Sequence, residues 1–488
     1  MSVKRGLGNG ASSDAVMLIL IRLVTMGLAF VVTRLLSQYL STYDYGTYSQ
    51  VILVSTTVAS VTILGMIDGV NFFNCSIRDQ QKREAYIATL FSLQCIVSTA
   101  AGMMLMLFGS VIARSFENPD LQKLMIFAAV LPLLQNLIPM LQVLLVSVGK
   151  ARMLAYRNLT VSVIRLLTVI VTVTIVRDVA LILGVTVLLD VLQIGLFVRV
   201  LGKNGCLISL RRSDFHLIRR ILSYCIPMAL FIIINSLNRD CDKYLIALVT
   251  DTETLAVYTN ASKLLPFDIV QNSFCTVLQP RITRLVAEKK EAEARNLYKH
   301  FLEITYVSTV AVCGAALCAS PQLMELLYSA KYIRGLPVFC VYILVDMIRF
   351  TNITLILSAA GKAKKLMCLG IVSLGANVVL NIGLYAALGV VGPAIATLVV
   401  TLVIGMVMLW MSARELGIRM REFFACRYLA LFLAENVAAL FLLLHLRLWL
   451  ERMGLHYVLI LMLTGALYGG ILLLLNGRRF IRNMRAIK

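Results

Sequence analysis

Ser147-Val-Gly-Lys-Ala-Arg-Met-Leu154 returns later in the chain as Ala359-Ala-Gly-Lys-Ala-Lys-Lys-Leu366. Each is a short basic turn between two long apolar runs, and each follows the fourth such run of its half. A weaker echo stands earlier in each half. Arg34-Leu-Leu-Ser precedes Tyr45-Gly-Thr-Tyr48, and Lys243-Tyr-Leu-Ile precedes Ala256-Val-Tyr258. The repeat unit is therefore six apolar segments. An even number inserts both halves the same way up. The sequence thus predicts two lobes related by an axis along the membrane normal, the parallel-repeat arrangement of alternating-access transporters.

Working outward from the turns gives the remaining spans. A helix needs about 20 apolar residues to cross the hydrocarbon core. Runs of that kind cover 14–37, 45–67, 86–112, 122–147, 157–176, 179–199 and 220–248, then 254–280, 299–320, 336–359, 366–387, 391–411, 427–446 and 455–476. The expected fold is an all-α integral membrane protein of about fourteen helices, since only helices or closed barrels satisfy the backbone in lipid and barrel alternation is absent. The expected organisation is an N-terminal six-helix lobe over 1–200, a basic linker over 201–219, a second six-helix lobe over 220–414, and two extra helices with a basic tail over 415–488. Composition agrees. The 488 residues are 60% hydrophobic and 15% charged, against about 25% charged in a soluble domain. A soluble enzyme, a secreted disulfide scaffold and a disordered tail protein are excluded. The first run contains Arg22 and lacks a small-residue cleavage site, so it reads as a retained helix. The 11 cysteines are scattered without a C-x-x-C pair or a Cys/His cluster, which points to neither a metal site nor a disulfide frame.

The loop charges test this map independently. Of 46 basic residues, 32 fall in the even-numbered connections and the two tails, and seven fall in the odd-numbered connections. That asymmetry places both termini on the cytoplasmic side of the cytoplasmic (inner) membrane. The longest connection carries Ser209-Leu-Arg-Arg-Ser-Asp-Phe-His-Leu-Ile-Arg-Arg220 and reads as a basic amphipathic turn on anionic headgroups, not a nucleic-acid patch.

Several motifs together resemble the oligosaccharide (Wzx-type) flippases, in the superfamily that also holds multidrug exporters and lipid II flippases. They are Arg34-Leu-Leu-Ser with Asp44-Tyr-Gly-Thr-Tyr48, Asp242-Lys-Tyr-Leu-Ile246, Tyr258-Thr-Asn-Ala-Ser-Lys263, Leu326-Leu-Tyr-Ser-Ala-Lys-Tyr332, and Asn377-Val-Val-Leu-Asn381 with Gly389-Val-Val-Gly-Pro-Ala-Ile-Ala-Thr397. Thr47 and Val257 stand where leucine is commoner, and Ala256 replaces the usual glycine. The resemblance spans helices 1 to 12. It implies two six-helix lobes around a cavity. It also implies a polyprenyl-pyrophosphate-linked oligosaccharide moved from the inner to the outer leaflet for surface polysaccharide synthesis, with a polysaccharide polymerase complex as a candidate partner. A lipid II-type flippase and a multidrug or cation antiporter are the alternatives on the same fold. The short outer connections and the absence of a nucleotide-binding motif argue for a transporter without cofactor, driven by a proton or sodium gradient or by substrate supply, and against an enzyme.

Seven basic residues remain inside the spans: Arg22, Arg34, Arg165, Arg239, Lys243, Lys263 and Arg349. An ionised side chain at mid-bilayer costs at least about 2.5–3.5 kcal/mol. These cations must therefore face a wet cavity or pair internally. Arg22, Arg239, Lys263 and Arg349 are the candidates for a cavity that receives the lipid pyrophosphate, because a diphosphate leaves water only for dispersed, multidentate positive charge. Arg34, Lys243 and Tyr48 are candidate outer-side contacts. Asp190, Asp268 and Asp346 are candidate coupling-ion carboxylates, and Asp346 can also pair with Arg349 three residues on. Pro132, Pro139, Pro227 and Pro266 are candidate bend points.

Overall fold

The computed structural model describes residues 10–77, 79–147, 151–203, 212–263, 290–349, 354–360, 362–423 and 426–487, with a few single positions between 282 and 288. No strand occurs among them. The helices are α1 (Gly10–Tyr39), α2 (Thr42–Thr62), α3 (Met66–Ser76), α4 (Gln80–Leu107), α5 (Gly109–Ser115), α6 (Pro119–Ser147), α7 (Ala151–Ile175), α8 (Val179–Lys203) and α9 (Ile218–Val249). They continue as α10 (Thr252–Ala261), α11 (Glu291–Cys318), α12 (Ser320–Tyr328), α13 (Leu336–Arg349), α14 (Leu355–Ala359), α15 (Ala363–Leu388), α16 (Gly392–Glu415), α17 (Cys426–Arg452) and α18 (Tyr457–Ile487). Each of the fourteen expected spans coincides with helix. Some are divided: the second into α2 and α3, and the third into α4 and α5; of the tenth, α13 and α14 are the described parts. Of span eight, α10 is the described part, and Pro266 and Asp268 lie outside the described residues. The protein is an all-α, multi-pass membrane protein.

Local chemistry sets the helix ends. The Ser41 hydroxyl accepts from the Asp44 amide at the start of α2, and the Asp79 carboxylate accepts from the Gln81 and Lys82 amides at the start of α4. Each satisfies N–H groups that the helix itself leaves open. Pro119 opens α6, where a missing N–H costs nothing. At the far ends, Gly389 (φ +60°) stops α15 and Gly454 (φ +72°) turns the chain from α17 into α18, in a conformation that penalises a side chain. Pro132 and Pro139 lie inside α6, while α9 passes through Pro227 as one helix.

The chain forms two compact units. The first comprises Met1–Asp240 with Ala247–Ala256, and the second Cys241–Ile246 with Val257–Lys488. In the first, α6 is central. It packs on α2, α3, α4 and α8, while α1 lies along α7. Met66, Phe73, Tyr86, Leu90, Met140 and Phe197 fill one end of this core, with Phe73 and Tyr86 stacked at 4.7 Å. Lipid tails are as apolar as leucine, so close packing and polar cross-links hold such helices together. Gly102 supplies the first: a Cβ there would stand 2.4 Å from the Ala129 carbonyl oxygen. Asn136 supplies the second, donating to the Ala59 carbonyl (3.1 Å) and the Thr62 hydroxyl (2.9 Å). The end of the expected headgroup-lying linker is held by protein as well. Arg212 pairs with Glu84, the Ser213 and Ser92 hydroxyls meet at 2.6 Å, and the Asp214 amide donates to Thr89 at 2.9 Å.

In the second unit α11 takes the central place, packing on α13, α17 and α18. The two helices beyond the repeat are thus built onto α11. Buried Glu303 of α11 accepts from Asn483 (2.7 Å) and Arg479 (3.5 Å) of α18, and the Arg479 guanidinium lies 3.5 Å from the Tyr428 ring of α17. The internal repeat appears in the packing. The α4–α6, α6–α8 and α7–α8 contacts of the first unit recur as α11–α13, α13–α16 and α15–α16 in the second. Short α5 after α4 likewise recurs as short α12 after α11.

Candidate functional site

The first unit holds an open cavity of about 420 Å³ whose walls come from four helices. Helix periodicity explains which residues reach it. On α7, Arg157, Val161 and Arg165 are spaced four apart and share a face. On α6, Gln135, Ile138, Pro139 and Gln142 follow the i, i+3, i+4, i+7 pattern of one helix face, and α8 presents Asp190 and Gln193. Thr25 of α1 completes the wall.

The charged centre is Asp190, 7% exposed. One of its oxygens, Oδ1, accepts from Arg165 Nη2 at 2.9 Å and from Gln193 Nε2 at 2.9 Å. Arg157 lies with its guanidinium 4.0 Å from the Phe197 ring centroid and donates from Nη2 to Asn158 at 2.8 Å. Its Nε and Nη1, and Arg165 Nε, are buried without a hydrogen-bond acceptor among the described residues. Two fixed cations face one carboxylate. The cavity has N–H groups to spare and a net positive charge. It is built to take an anion with several acceptor oxygens.

A second cavity of about 230 Å³ shares Ser162 and Arg165 with the first and reaches Thr33, Thr186 and Tyr48. Arg165 therefore stands between two cavities of the same unit. Tyr48, expected as an outer-side contact, is brought to it.

The other expected residues distribute as follows. Arg22 lies on α1, and its side chain is outside what is described. Arg239 of α9 is exposed, 3.5 Å from Asp240, and donates to Ser236 at 3.2 Å. Lys263 follows α10 and lies within the field of Lys243. Arg349 ends α13 and acts electrostatically on Tyr342. Arg34 is half-buried near the end of α1. Asp268 is outside the described residues. Asp346 is 1% exposed, and its charge acts on Cys313 and Tyr328. Arg349 stands three residues further on, in the last turn of α13.

Sequence reasoning missed two features. Arg157 was counted with the cytoplasmic connection, but α7 begins at Ala151, so Arg157 is well inside the helix and lines the cavity. Its spacing to Arg165 was the available signal. The second is Asp242, 1% exposed on α9. Its Oδ2 accepts from Tyr258 of α10 at 2.7 Å and from Tyr342 of α13, tying together three side chains of the second unit. Among the described residues no group of His, Cys, Asp and Glu is arranged to hold a metal.

This arrangement of helices defines the class. The fold is that of the lipid II flippase MurJ in its inward closed conformation (TM-score 0.72, 15% identity, covering 96% of this chain and 100% of that one). It is shared with an inward-facing multidrug resistance MATE family transporter of the MOP superfamily (TM-score 0.65, 15% identity, 82% and 98%). A MOP superfamily transporter from Pyrococcus furiosus, described as having a binding pocket of reverse polarity, also shares it (TM-score 0.57, 15% identity, 83% and 95%). No curated protein matches the chain in sequence. Residues 31–337 match the polysaccharide biosynthesis protein family, and the chain belongs to that family.

Proposed function

We propose that this protein is a flippase for a polyprenyl-pyrophosphate-linked oligosaccharide, carrying it from the inner to the outer leaflet of the cytoplasmic membrane by alternating access. The observation that carries the reading is the cavity of the first unit, where Arg157 and Arg165 hold buried N–H groups without acceptors. A pyrophosphate offers the acceptors they lack. The family's place in polysaccharide biosynthesis supports the glycan, and the fold shared with a lipid II flippase supports the lipid carrier. A cationic drug is disfavoured by two arginines facing one carboxylate, which weighs against the antiporter alternative; a lipid II-type substrate keeps the same headgroup chemistry.

In this reading Arg22 and Arg239 of the first unit, and Lys263 and Arg349 of the second, are each candidate contacts of the pyrophosphate, and Arg34, Tyr48 and Lys243 are candidate outer-side contacts. Asp190, Asp268 and Asp346 are the carboxylates available to a coupling proton or sodium ion. Both termini face the cytoplasm, the protein catalyses no covalent step, and it hands its cargo to a polysaccharide polymerase complex. The test is the lipid-linked glycan pool in cells lacking the protein. Accumulation of an oligosaccharide lipid on the inner leaflet, reversed by the wild-type chain and not by Arg157→Ala/Arg165→Ala, is expected. Unchanged pools with new drug sensitivity overturn the reading.

A further inference from the structure

We propose that Asp190 is a built-in competitor for the anion and that headgroup binding in this cavity takes up one proton on its carboxyl. The proposal rests on the reading of the cavity as the headgroup site and adds the rule by which that site is regulated.

The argument begins with the charges. Arg157, Arg165 and ionised Asp190 leave the cavity one positive charge. A diphosphate diester brings two negative charges, which two free arginines match and an arginine engaged by Asp190 does not. Arg165 Nη2 is engaged, at 2.9 Å from Asp190 Oδ1, while its Nε is buried without an acceptor. A phosphate that takes the edge of the guanidinium formed by Nε and Nη2 competes with Asp190 for the Nη2 donor. The carboxylate then lies beside a dianion in the same cavity. Like charges at such range favour the protonated acid. Gln193 stays in place for either form: its Nε2 donates to the same oxygen at 2.9 Å and needs only an acceptor there.

The other groups facing Asp190 do not take up this role. From α7 they are Arg157 and Arg165, which hold their charge throughout. From α2, Tyr48 lines the second cavity together with Arg165, and a phenol is neutral across the working pH range. From α1 and α6 come Thr25, Gln135 and Gln142, which do not titrate. Asp190 is the group whose charge can change when an anion arrives. Linkage is reciprocal, so the anion raises the proton's affinity and the proton raises the anion's by the same factor.

The experiment uses the full-length protein in lipid nanodiscs. The probe is a soluble diphosphate diester bearing a geranyl chain and one sugar, whose charge is constant from about pH 5.5 to about pH 8.5. Calorimetric titration in buffers of different ionisation enthalpy reads Kd and the protons taken up. The wild type is expected to weaken by up to about tenfold per pH unit over the alkaline part of this range, with close to one proton bound per probe. Asp190→Asn removes the competitor and should bind at least as tightly as wild type at the alkaline end, without pH dependence or proton uptake. Asp190→Glu, which keeps a titratable competitor, should restore both. Binding by the wild type without proton uptake, or proton uptake retained by Asp190→Asn, overturns the linkage and leaves the headgroup reading standing. Failure of the wild type to bind the probe overturns both.

Discussion

Replacing Arg165 by alanine removes the cation between the two cavities, and its effect separates structure from function. Two energies change. Asp190 loses one of the two donors to its Oδ1 and is left with Gln193. Removing one partner of a fully buried pair costs about 3–5 kcal/mol. The Arg165 side chain is 41% exposed to the cavity, so solvent screens part of that, and a loss nearer the 1.5–3 kcal/mol of a charge-assisted hydrogen bond is expected. Headgroup binding loses a comparable charge-assisted contact, which is roughly 10- to 150-fold in Kd. The double variant Arg165→Ala/Asp190→Asn removes the orphaned charge and should recover most of the stability, while its affinity stays below that of the wild type. Thermal unfolding of the purified protein, with and without a soluble prenyl diphosphate ester, reads both quantities on one sample. If Arg165→Ala binds the ester as tightly as wild type, the reasoning fails at the site. If the double variant is no more stable than the single, it fails at the ion pair.

Gly102→Ala should destabilise the first unit by about 1–3 kcal/mol, because the added methyl would meet the rigid Ala129 carbonyl at 2.4 Å, whereas Gly27→Ala, with nothing within 4 Å, should lower the unfolding temperature not at all. Asp242→Ala strands the Tyr258 and Tyr342 hydroxyls; at about 1–3 kcal/mol for each buried donor left unmet, the unfolding midpoint should fall by several degrees, and an unchanged midpoint refutes the hub. Glu415, at the end of α16, is held below the usual glutamate value of 4.5 by its hydrogen bond from Lys365, with Lys362 adding to it. Its folded pKa is depressed, so its contribution, about 0.5 kcal/mol or less for so exposed a pair, is present above pH 4.5 and lost as pH falls through the lower folded value. Unfolding of Glu415→Gln followed from neutral to acid pH should lack that loss.

The fold was readable because lipid imposes a one-dimensional rule: a run of about 20 apolar residues is a span whatever its neighbours. The turns at Gly149 and Gly361 and the asymmetry of loop cations then fixed count and register. The cavity obeys no such rule. Gln135, Arg165 and Asp190 meet because α6, α7 and α8 each turn one face toward a common space, and the relative rotation of three helices is a matter of packing. Asp190 was visible as an isolated mid-span carboxylate, but its partner was not assigned. Arg157, the first residue of the expected fifth span, was counted with the connection before it, although α7 begins six residues earlier at Ala151. Asp242 was quoted for its resemblance, while its chemistry depends on tyrosines 16 and 100 residues away.

The repeat adds a reason to regard the arginines as functional. Counted equally from Gly149 and Gly361, Arg157 corresponds to Leu369 and Arg165 to Asn377. Both units build the corresponding helix pairs, α7 with α8 and α15 with α16. Packing alone is thus served by leucine and asparagine at these positions. A cation inside a span carries a cost of at least about 2.5–3.5 kcal/mol unless wetted or paired, so a role shared by the two halves would have no need of it. The charge sits in one unit only, on the face that opens to a cavity and beside a carboxylate that balances half of it. What distinguishes the first unit from its repeat is therefore not how its helices pack but what their shared space can hold.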